Sequence, residues 1–419
     1  MSYIKNKNIL ATSEKREQIL SIIEAGYTAI DTSHVIKDSI SLRDSVLEVR
    51  GKKFDLSLYN NIYILGCGKV ACSAAYSLEK MLQGHVKSGA VVGITEGVCE
   101  VIETFQGTHP LPSEVNFKAS TRMKDIAMGV EEDDLVLVVV GGGGSALLCG
   151  SSDEHAQGDR LYKKFLQSGG SIHELNIVRK HLSDLKGGGL ARILFPATVV
   201  GLIFSDVPGG GYSNVASGPT YLDTTTVDDA MDIITKYSLG DFDLVETPKG
   251  PHFFEKVHNI VLVSNMTALD AMSQRAKEYG YETEIVCDDF FGTPEILAQK
   301  MQDASLSGKV VLAGGEVSLS VPEGCEGKGG RNDYMALEMM GLLNEGQVFA
   351  SFASDGHDNS DSAGALVDTL VIKNLTSRGI ESGSHKVCLD SYTLFDEAGT
   401  LIYTGDIEAN VSDLMVLLY

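Results

Sequence analysis

The first residues that could do chemistry lie in a glycine turn in the run 65–71 (LGCGKVA). Gly66 and Gly68 would let backbone N–H groups approach an anion closely, and Lys69 adds a movable positive charge. The turn therefore predicts a binding site for a phosphate or a carboxylate. An ordinary tight turn with a surface lysine explains this run equally well when it is taken alone.

A second glycine turn, in the run 140–147 (VGGGGSAL), follows an apolar strand and puts the Ser145 hydroxyl where a helix should begin. Consecutive glycines cost roughly 0.5–1 kcal/mol each to order relative to alanine. Close approach of a ligand to the backbone of Gly142 and Gly143 would explain that cost. A G-x-S-x-G nucleophile elbow is incomplete because Leu147 replaces its last glycine, so a serine hydrolase is disfavoured.

Both turns also satisfy the G-x-G-x-x-A pattern of dinucleotide-binding folds. The acidic residue that should follow about twenty positions after the first glycine falls instead at Glu96, about thirty positions on. An NAD(P)-linked reductase therefore stays an alternative with little support.

A cationic stretch, 176–189 (NIVRKHLSDLKGGG), ends in a third glycine turn. Clustered cations are notable in a chain with a formal net charge of −23. Its four basic or potentially basic side chains, Arg179, Lys180, His181 and Lys186, could face phosphates there. A solvated helix face is the alternative, but the triple glycine favours a binding site.

Carboxylates follow three predicted strands, at Asp206, Glu316 and Asp355. Each could hold Mg²⁺ or accept a hydroxyl proton, although Asp206 could instead cap the next turn. Arg331 and Asn332 open a predicted helix after a glycine-rich run. Carboxylates, a cation and glycine backbone donors are the groups that phosphoryl transfer requires.

The composition limits the partners that these sites could serve. The chain has 419 residues, 43% hydrophobic content and a pI near 4.8, without a run of Lys and Arg, so we expect no nucleic-acid partner. No apolar run is long enough to span a membrane or resembles a signal peptide, so we expect a cytoplasmic protein with no membrane partner. The seven cysteines contain no CxxC pair and are interpreted as small core residues.

Short apolar runs alternate with amphipathic stretches along the chain, which predicts the α/β class. We expect a helix over 14–34 and two three-layer α/β domains with largely parallel sheets, the first Rossmann-like, with the active site in the interdomain cleft. An irregular segment at 236–257 separates an N-terminal domain (1–245) from a C-terminal domain (255–419). The predicted strands are 61–65, 90–94, 135–140 and 198–204 in the first series, and 259–263, 283–287, 310–313, 348–353 and 411–418 in the second.

Taken together, the motifs resemble the glycerate 2-kinase family, whose C-terminal part is called the MOFRL domain and which is also named hydroxypyruvate reductase. The resemblance covers nearly the whole chain, with a MOFRL-like part at about 308–417. It rests on GCGKVA (66–71), GTHPLPSE (107–114), GGGGSALL (141–148), NIVRKHLSDLKGGGLA (176–191), SDVP (205–208), SGPT (217–220), GGE (314–316), GKGGRN (327–332) and SDGHDNSDSAGA (354–365).

The resemblance implies phosphorylation of the 2-hydroxyl of D-glycerate to 2-phospho-D-glycerate, with ATP and Mg²⁺ as cofactors. It implies that Lys69 and Arg331 bind substrate or stabilise the transferring phosphoryl group. The expected catalytic residues are Lys69, Arg331, Asp206 and Asp355; the expected nucleotide contacts are Gly66, Gly68, Gly142, Gly143, Ser145, Lys186, Gly187, Glu316 and Asn332; the expected metal ligands are Asp206, Glu316 and Asp355.

The sequence departs from the family pattern at 209–211, 358–361 and 405–410, which bears mainly on the identity of the substrate. Two alternatives therefore stay open. One is an NAD(P)-dependent hydroxypyruvate reductase, and the other is a family member that acts on another small hydroxy acid or only binds it. The expected partners are a small-molecule hydroxy acid and a nucleotide, and a homodimer is left open.

Overall fold

The computed structural model describes residues 2–419, which divide into two compact units. Both units are assembled from separate stretches of the chain, and each is named here after its six-stranded sheet. The parallel-sheet unit comprises residues 32–207 and 211–262, and the mixed-sheet unit comprises residues 2–31, 208–210 and 263–419.

These units differ from the predicted domain limits of 1–245 and 255–419. Residues 2–31 belong to the mixed-sheet unit although they precede the other unit in sequence. The strand predicted at 259–263 does not open a second sheet, because it forms the edge strand of the first one. An apolar run marks a strand as buried but carries no information about which sheet accepts it.

The mixed-sheet unit contains the two N-terminal helices, α1 (Lys7–Leu10) and α2 (Glu14–Ile30). Helix α2 confirms the helix predicted over 14–34. It begins after Ser13, whose side chain accepts the backbone N–H of Arg16, as is typical of an N-cap.

The parallel-sheet unit holds a small three-stranded antiparallel sheet and a six-stranded sheet in the order β6-β5-β4-β7-β8-β9. In the larger sheet the pairs β4–β5, β4–β7, β5–β6 and β7–β8 are all parallel. The strands are β1 (Ile40–Arg43), β2 (Val46–Val49), β3 (Lys52–Asp55), β4 (Ile62–Cys67), β5 (Val86–Gly93), β6 (Ile102–Gln106), β7 (Leu135–Gly141), β8 (Thr198–Phe204) and β9 (Val257–Val263).

The carboxyl ends of β4, β7 and β8 meet at one edge of this sheet. Cys67 pairs with Val140, and Gly141 pairs with Phe204, so the three strands end in register. The strand order also reverses between β4 and β7. Open α/β sheets bind ligands outside the carboxyl ends of their strands at such a reversal.

Eight helices belong to the parallel-sheet unit, and several cover the apolar faces of its large sheet. They are α3 (Thr32–Ser39), α4 (Ala71–Leu82), α5 (Glu114–Met128), α6 (Gly144–Leu147), α7 (Ser152–Leu166), α8 (Ile172–His181), α9 (Gly189–Leu194) and α10 (Val227–Lys236).

The remaining helices and strands complete the mixed-sheet unit around a second apolar core. Of all the helices formed by residues 2–419, none has the length and apolar character needed to cross a membrane. The helices are α11 (Asn265–Glu278), α12 (Pro294–Ala304), α13 (Arg331–Met340), α14 (Thr369–Ser377), α15 (Ser382–Val387) and α16 (Ser391–Ala398). The strands are β10 (Glu282–Gly292), β11 (Lys309–Val317), β12 (Val348–Ala353), β13 (Gly364–Asp368), β14 (Leu401–Ile402) and β15 (Asp413–Leu418).

The α/β class is confirmed, but the second sheet is mixed and not largely parallel as predicted. Its order is β10-β11-β15-β12-β13-β14, and only the β10–β11 pair is parallel. The C-terminal strand β15 lies between β11 and β12 and runs antiparallel to both. Only residues 354–363 join β12 to β13, which is shorter than the dozen or more residues of a parallel crossover.

Of the seven cysteines expected to be small core residues, only three are buried; Cys99 and Cys287 are partly exposed, and the remaining two are bonded to each other. Cys325 and Cys388 form a disulfide across 63 positions of sequence, and both are partly exposed. Cys67, Cys72 and Cys149 are buried, as expected. A pairing between cysteines so far apart cannot be recognised before the chain is folded.

Candidate functional site

The first two glycine turns contact each other at the carboxyl ends of β4 and β7. The backbone N–H of Lys69 donates to the carbonyl oxygen of Gly142 over 2.8 Å. Gly68 has a φ of 131°, and a Cβ atom there would lie 2.6 Å from the Cα of Gly141. A glycine is therefore required at position 68 for contact between the two backbones as well as for its conformation.

Three side chains lie against the backbone of the second turn. A Cβ atom on Gly142 would lie 2.5 Å from the Oδ2 of Asp206. A Cβ atom on Gly143 would lie 3.2 Å from the ring of His109 and 3.3 Å from the Cγ of Lys69. The structure thus brings the predicted residues Lys69 and Asp206 to one turn and adds His109 to them.

A chain of polar side chains connects the second turn to helix α8. The hydroxyl oxygens of Ser145 and Ser217 are 2.8 Å apart. The Ser217 hydroxyl donates to the Oδ1 of Asn176 over 3.4 Å, and the Nη1 of Arg179 donates to the same oxygen over 3.5 Å. We call Lys69, His109, Ser145, Arg179 and Asp206 the glycine-turn cluster.

The glycine-turn cluster has the electrostatic character of an anion site. Burial and the positive charges of Lys69 and Arg179 lower the pKa of His109, so its imidazole is neutral near pH 7. Burial also lowers the pKa of Arg179. Within residues 2–419 Arg179 forms no salt bridge with a carboxylate, and its hydrogen bond goes to an amide oxygen. A largely buried guanidinium without a carboxylate is compensated well by a bound anion.

A small pocket of about 40 Å³ opens beside this cluster. The side chains of Ser145, Arg179 and Lys186 contribute polar groups to its wall. Such a mixed wall offers both polar and apolar contacts to part of a small ligand. The apolar part of the wall includes Pro110, Leu111, Pro112, Leu148, Tyr162 and Leu182.

Lys186 and Gly187, predicted as phosphate contacts, take part in internal packing. The Nζ of Lys186 lies 2.5 Å from the Oε1 of Glu154, and only 6% and 5% of the two side chains are exposed. A Cβ atom on Gly187 would lie 2.7 Å from the side chain of Thr247. Gly66 similarly lies inside β4, against the neighbouring strand β7. Their predicted ligand contacts stay predictions.

A second cluster, in the mixed-sheet unit, surrounds the first residue of α13. The Nη1 of Arg331 donates to the Oε2 of Glu316 over 2.6 Å, and its Nε lies 3.1 Å from the Oδ2 of Asp413. Asp358 accepts the backbone N–H of Asn332 over 3.0 Å and so caps the helix. We call Glu316, Arg331, Asn332, Asp358 and Asp413 the arginine cluster.

Buried carboxyl groups in and next to the arginine cluster hold their protons more tightly than usual. Burial raises the pKa of Asp413 to about 7, although the charge of Arg331 opposes this shift. Burial also raises the pKa of Asp358. Burial together with the charge of Asp358 raises the pKa of Asp333 well above its ordinary value. Near pH 7 the carboxyl groups around Arg331 are therefore not all ionised.

The predicted metal ligands do not form a complete protein site. Within residues 2–419 no group of three or more His, Cys, Asp or Glu side chains is arranged to hold a metal ion. Glu316 is engaged by Arg331, and Asp355 follows β12, where it accepts the N–H of His357 over 3.3 Å. Mg²⁺ in phosphoryl-transfer sites commonly takes one or two protein carboxylates together with substrate phosphates. Asp206, beside the backbone of Gly142, fits that use.

Several residues of the two clusters were not predicted as site residues. His109 and Asn176 belong to motifs that carried the family resemblance, and Arg179 was expected only as one of the basic side chains that could face phosphates. Asp358 lies where the sequence departs from the family pattern, yet it caps α13. No sequence pattern pointed to Asp413, because a single aspartate at the start of the last strand fits no motif.

The fold and its two clusters define a two-part α/β protein with an anion site at a glycine-rich sheet edge. Two family models match this chain, the domain of unknown function DUF4147 over residues 18–245 and the MOFRL family over residues 309–413. The D-glycerate 2-kinase of Thermotoga maritima is 33% identical over 411 residues, which cover 91% of this chain and 96% of that protein. The chain belongs to the glycerate 2-kinase family, which confirms the resemblance inferred from its motifs.

Solved structures agree with this assignment. A glycerate kinase from Thermotoga maritima has a TM-score of 0.83 at 28% identity, and the match covers 95% of this chain and 97% of that one. A Pyrococcus horikoshii protein has a TM-score of 0.82 at 28% identity, with 97% and 99% covered. The glycerate 2-kinase of Pyrococcus horikoshii is also 28% identical in sequence, over 96% of this chain and 97% of its own length.

Proposed function

We propose that this protein is a kinase that transfers the γ-phosphoryl group of ATP to the 2-hydroxyl of D-glycerate. The products are 2-phospho-D-glycerate and ADP. The observation that carries the proposal is the glycine-turn cluster, in which Lys69 and a neutral His109 lie against a glycine turn and the charge of Arg179 acts on the same imidazole. Membership of the glycerate 2-kinase family supports the same reaction.

In the proposed reaction the 2-hydroxyl oxygen attacks the γ-phosphorus, and the bond from that phosphorus to the β-phosphate oxygen breaks. The hydroxyl proton passes to a carboxylate, for which Asp206 and Asp355 are the candidates. Lys69 and Arg179 bind anionic groups of the substrates, and their partial burial strengthens that attraction. The neutral His109 can donate one hydrogen bond without adding charge.

Arg331 is proposed to stabilise the negative charge of the transferring group. Its pKa is raised by Asp413, Glu316 and Asp358 against the opposing effect of burial, so it stays charged throughout the accessible pH range. Because the pKa of Asp413 is itself about 7, this carboxyl group cancels only part of the arginine charge near neutral pH. A cation held in a fixed position by its neighbours needs little reorganisation during reaction.

Mg²⁺, when bound with ATP, would neutralise phosphate charge. Asp206 is the residue that we propose to hold it, with the nucleotide phosphates completing the coordination. Gly142, Gly143 and Ser145 would offer backbone and hydroxyl donors to the phosphates in the same place. Lys186 and Glu316 have carboxylate and arginine partners respectively, so their proposed ligand roles are secondary.

The test is an assay of the purified protein with MgATP and D-glycerate, in which ADP release is coupled to a readout and the product is identified by NMR. Formation of 2-phosphoglycerate supports the proposal, and formation of 3-phosphoglycerate contradicts the position of transfer. A parallel reaction with hydroxypyruvate and NADH or NADPH measures reductase activity. Calorimetric binding of glycerate without any turnover would favour a protein that only binds the acid.

Two variants assign the residues. Lys69→Ala and Arg331→Ala should each lower kcat/KM by more than about a hundredfold, the usual effect of losing a charge-stabilising group. Lys163→Ala is the matched control, because this lysine lies 66% exposed beside Asp159 on α7. Full activity of a Lys69→Ala/Arg331→Ala double variant would remove both residues from the active site.

A further inference from the structure

The loop that leads into α13 is tied to another part of the mixed-sheet unit by a covalent bond. Residues 318–330 form neither helix nor strand, and they connect β11 to the helix that begins at Arg331. Cys325, in the middle of this loop, is bonded to Cys388, which directly follows α15. The disulfide therefore fixes the loop six positions before the arginine.

The same loop also lines a pocket around Arg331. This open pocket has a volume of about 450 Å³, and its wall includes Gly327, Gly329, Gly330 and Arg331 as well as Cys388 itself. We call it the arginine pocket. A bond at its wall can affect what the pocket binds without touching the core of the unit.

Besides the disulfide, weaker contacts hold the loop near Lys328. The N–H of Lys328 donates to the Oδ1 of Asp390 over 3.0 Å, and the N–H of Tyr392 donates to the carbonyl oxygen of Lys328 over 2.9 Å. The Nζ of Lys328 lies 3.4 Å from the centre of the Tyr392 ring. Each of these contacts is weak at a partly exposed position, so an unbonded loop would open more often.

The sulfurs are placed for exchange with external thiols. Cys325 and Cys388 are both partly exposed. A disulfide that only stabilises a core is shielded from solvent. Partly exposed disulfides beside a binding site are the ones that commonly exchange. Within residues 2–419 this is the single disulfide, so its state can be measured without interference from another bridge.

We propose that Cys325 and Cys388 form a reversible thiol–disulfide exchange site that reacts with a dithiol reductant and controls the loop at the arginine pocket. A thiolate of the reductant attacks one of the two sulfurs, which gives a mixed disulfide and releases the other cysteine as a thiolate. The second thiol of the reductant then displaces the remaining cysteine. Two electrons pass to the protein, the reductant becomes a disulfide, and a low-molecular-weight disulfide reverses the reaction.

The first experiment measures the loop itself and does not depend on the proposed kinase activity. The protein is equilibrated with dithiothreitol or with oxidised glutathione, the thiols are alkylated, and mass spectrometry reports the state of both cysteines. Each sample is then digested briefly with trypsin. Cleavage after Lys328 should be at least fivefold faster in the reduced form, because this bond lies in the loop next to the bridge.

The second experiment measures the pocket and rests on the proposed function. Reduction should raise the KM for MgATP or for D-glycerate roughly fivefold and change kcat less, because an unfixed loop must be ordered when the ligand binds. Cys325→Ser and Cys388→Ser should each reproduce the reduced form and should no longer respond to oxidant. Cys99→Ser, which changes a partly exposed cysteine outside the bridge, should respond like the unchanged protein.

The outcomes separate this proposal from the proposed function. If the two cysteines remain unpaired under oxidised glutathione, or if trypsin cleaves both forms after Lys328 at the same rate, the exchange site is refuted. Equal KM values in the two forms would refute its control of the pocket. A protein without kinase activity in either form would refute the proposed function, and the cleavage rates would still decide the proposal made here.

Discussion

The substitution Lys186→Met tests whether Lys186 stabilises the fold or binds a ligand. The lysine is buried against Glu154, with 2.5 Å between the charged atoms, and 6% and 5% of the two side chains are exposed. Removing one partner of such a pair leaves the other charge buried and unpaired, which typically costs about 3–5 kcal/mol. The free energy of unfolding of a whole domain is only about 5–15 kcal/mol, so a loss of this size should be easy to measure.

The assay is urea denaturation of the purified variants, followed by circular dichroism. Lys186→Met should lower the free energy of unfolding by about 3–5 kcal/mol. Lys186→Met/Glu154→Gln should recover most of that loss, because the glutamine is uncharged and its amide oxygen can still accept the N–H of Gly150, now 2.7 Å from Glu154. The control is Lys163→Met on the exposed face of α7, which should stay within about 0.5 kcal/mol of the unchanged protein.

One result would refute the reasoning for Lys186. If Lys186→Met unfolds within about 0.5 kcal/mol of the unchanged protein but loses tenfold or more in turnover, the lysine serves a ligand and not the fold. The double variant would then stay inactive, since restoring the neutrality of the buried pair does not restore a ligand contact.

Three further predictions concern single positions. The pKa of Asp413 rises from 3.8 to about 7 on folding, so its contribution to stability is present in acid and is lost as the pH rises. Between pH 5 and pH 8 this loss amounts to roughly 2–3 kcal/mol, and Asp413→Asn should remove that part of the pH dependence in denaturation curves. If the free energy of unfolding changes with pH equally in the unchanged protein and in Asp413→Asn, this prediction is wrong. Gly68→Ala should destabilise the protein by more than about 1 kcal/mol, because of its positive φ and the close backbone of Gly141, and an unchanged melting temperature would refute this. Arg16→Met should lower the free energy of unfolding, measured by calorimetry, by about 3–5 kcal/mol. The reason is that Arg16 makes two hydrogen bonds of 2.7 and 2.9 Å to the buried Asp368. A loss below about 1 kcal/mol would show that the pair contributes little.

The sequence predicted the interior of the parallel sheet well for a physical reason. Strands that are buried on both faces consist of continuous apolar residues, so the predicted runs 61–65, 90–94, 135–140 and 198–204 coincide with β4, β5, β7 and β8. The small sheet β1–β3 escaped notice, because its four-residue strands are partly exposed and polar. The strand directions in the second sheet could not be predicted either, since they depend on where β15 inserts.

The glycine-turn cluster was only half predictable. Strand ends that share one edge bring Lys69, Ser145 and Asp206 near one another for any chain with this strand order. His109 and Arg179 reach the same place from a loop and from helix α8, and no spacing rule fixes the distance between those segments and the strand ends. Contacts made by a strand end follow from topology, while contacts made by a loop depend on the packing of the whole unit.

In the stretch 176–189, the role of each cation depends on its partner more than on its position in the sequence. Lys180 is 3.1 Å from the buried carboxylate of Asp223, and Lys186 is paired with Glu154. Among residues 2–419, the hydrogen-bond partner of Arg179 is an amide oxygen. The two lysine charges are already compensated inside the protein, so an added anion gains little from them. Arg179 is therefore the cation of this stretch whose charge is most available to a bound carboxylate or phosphate.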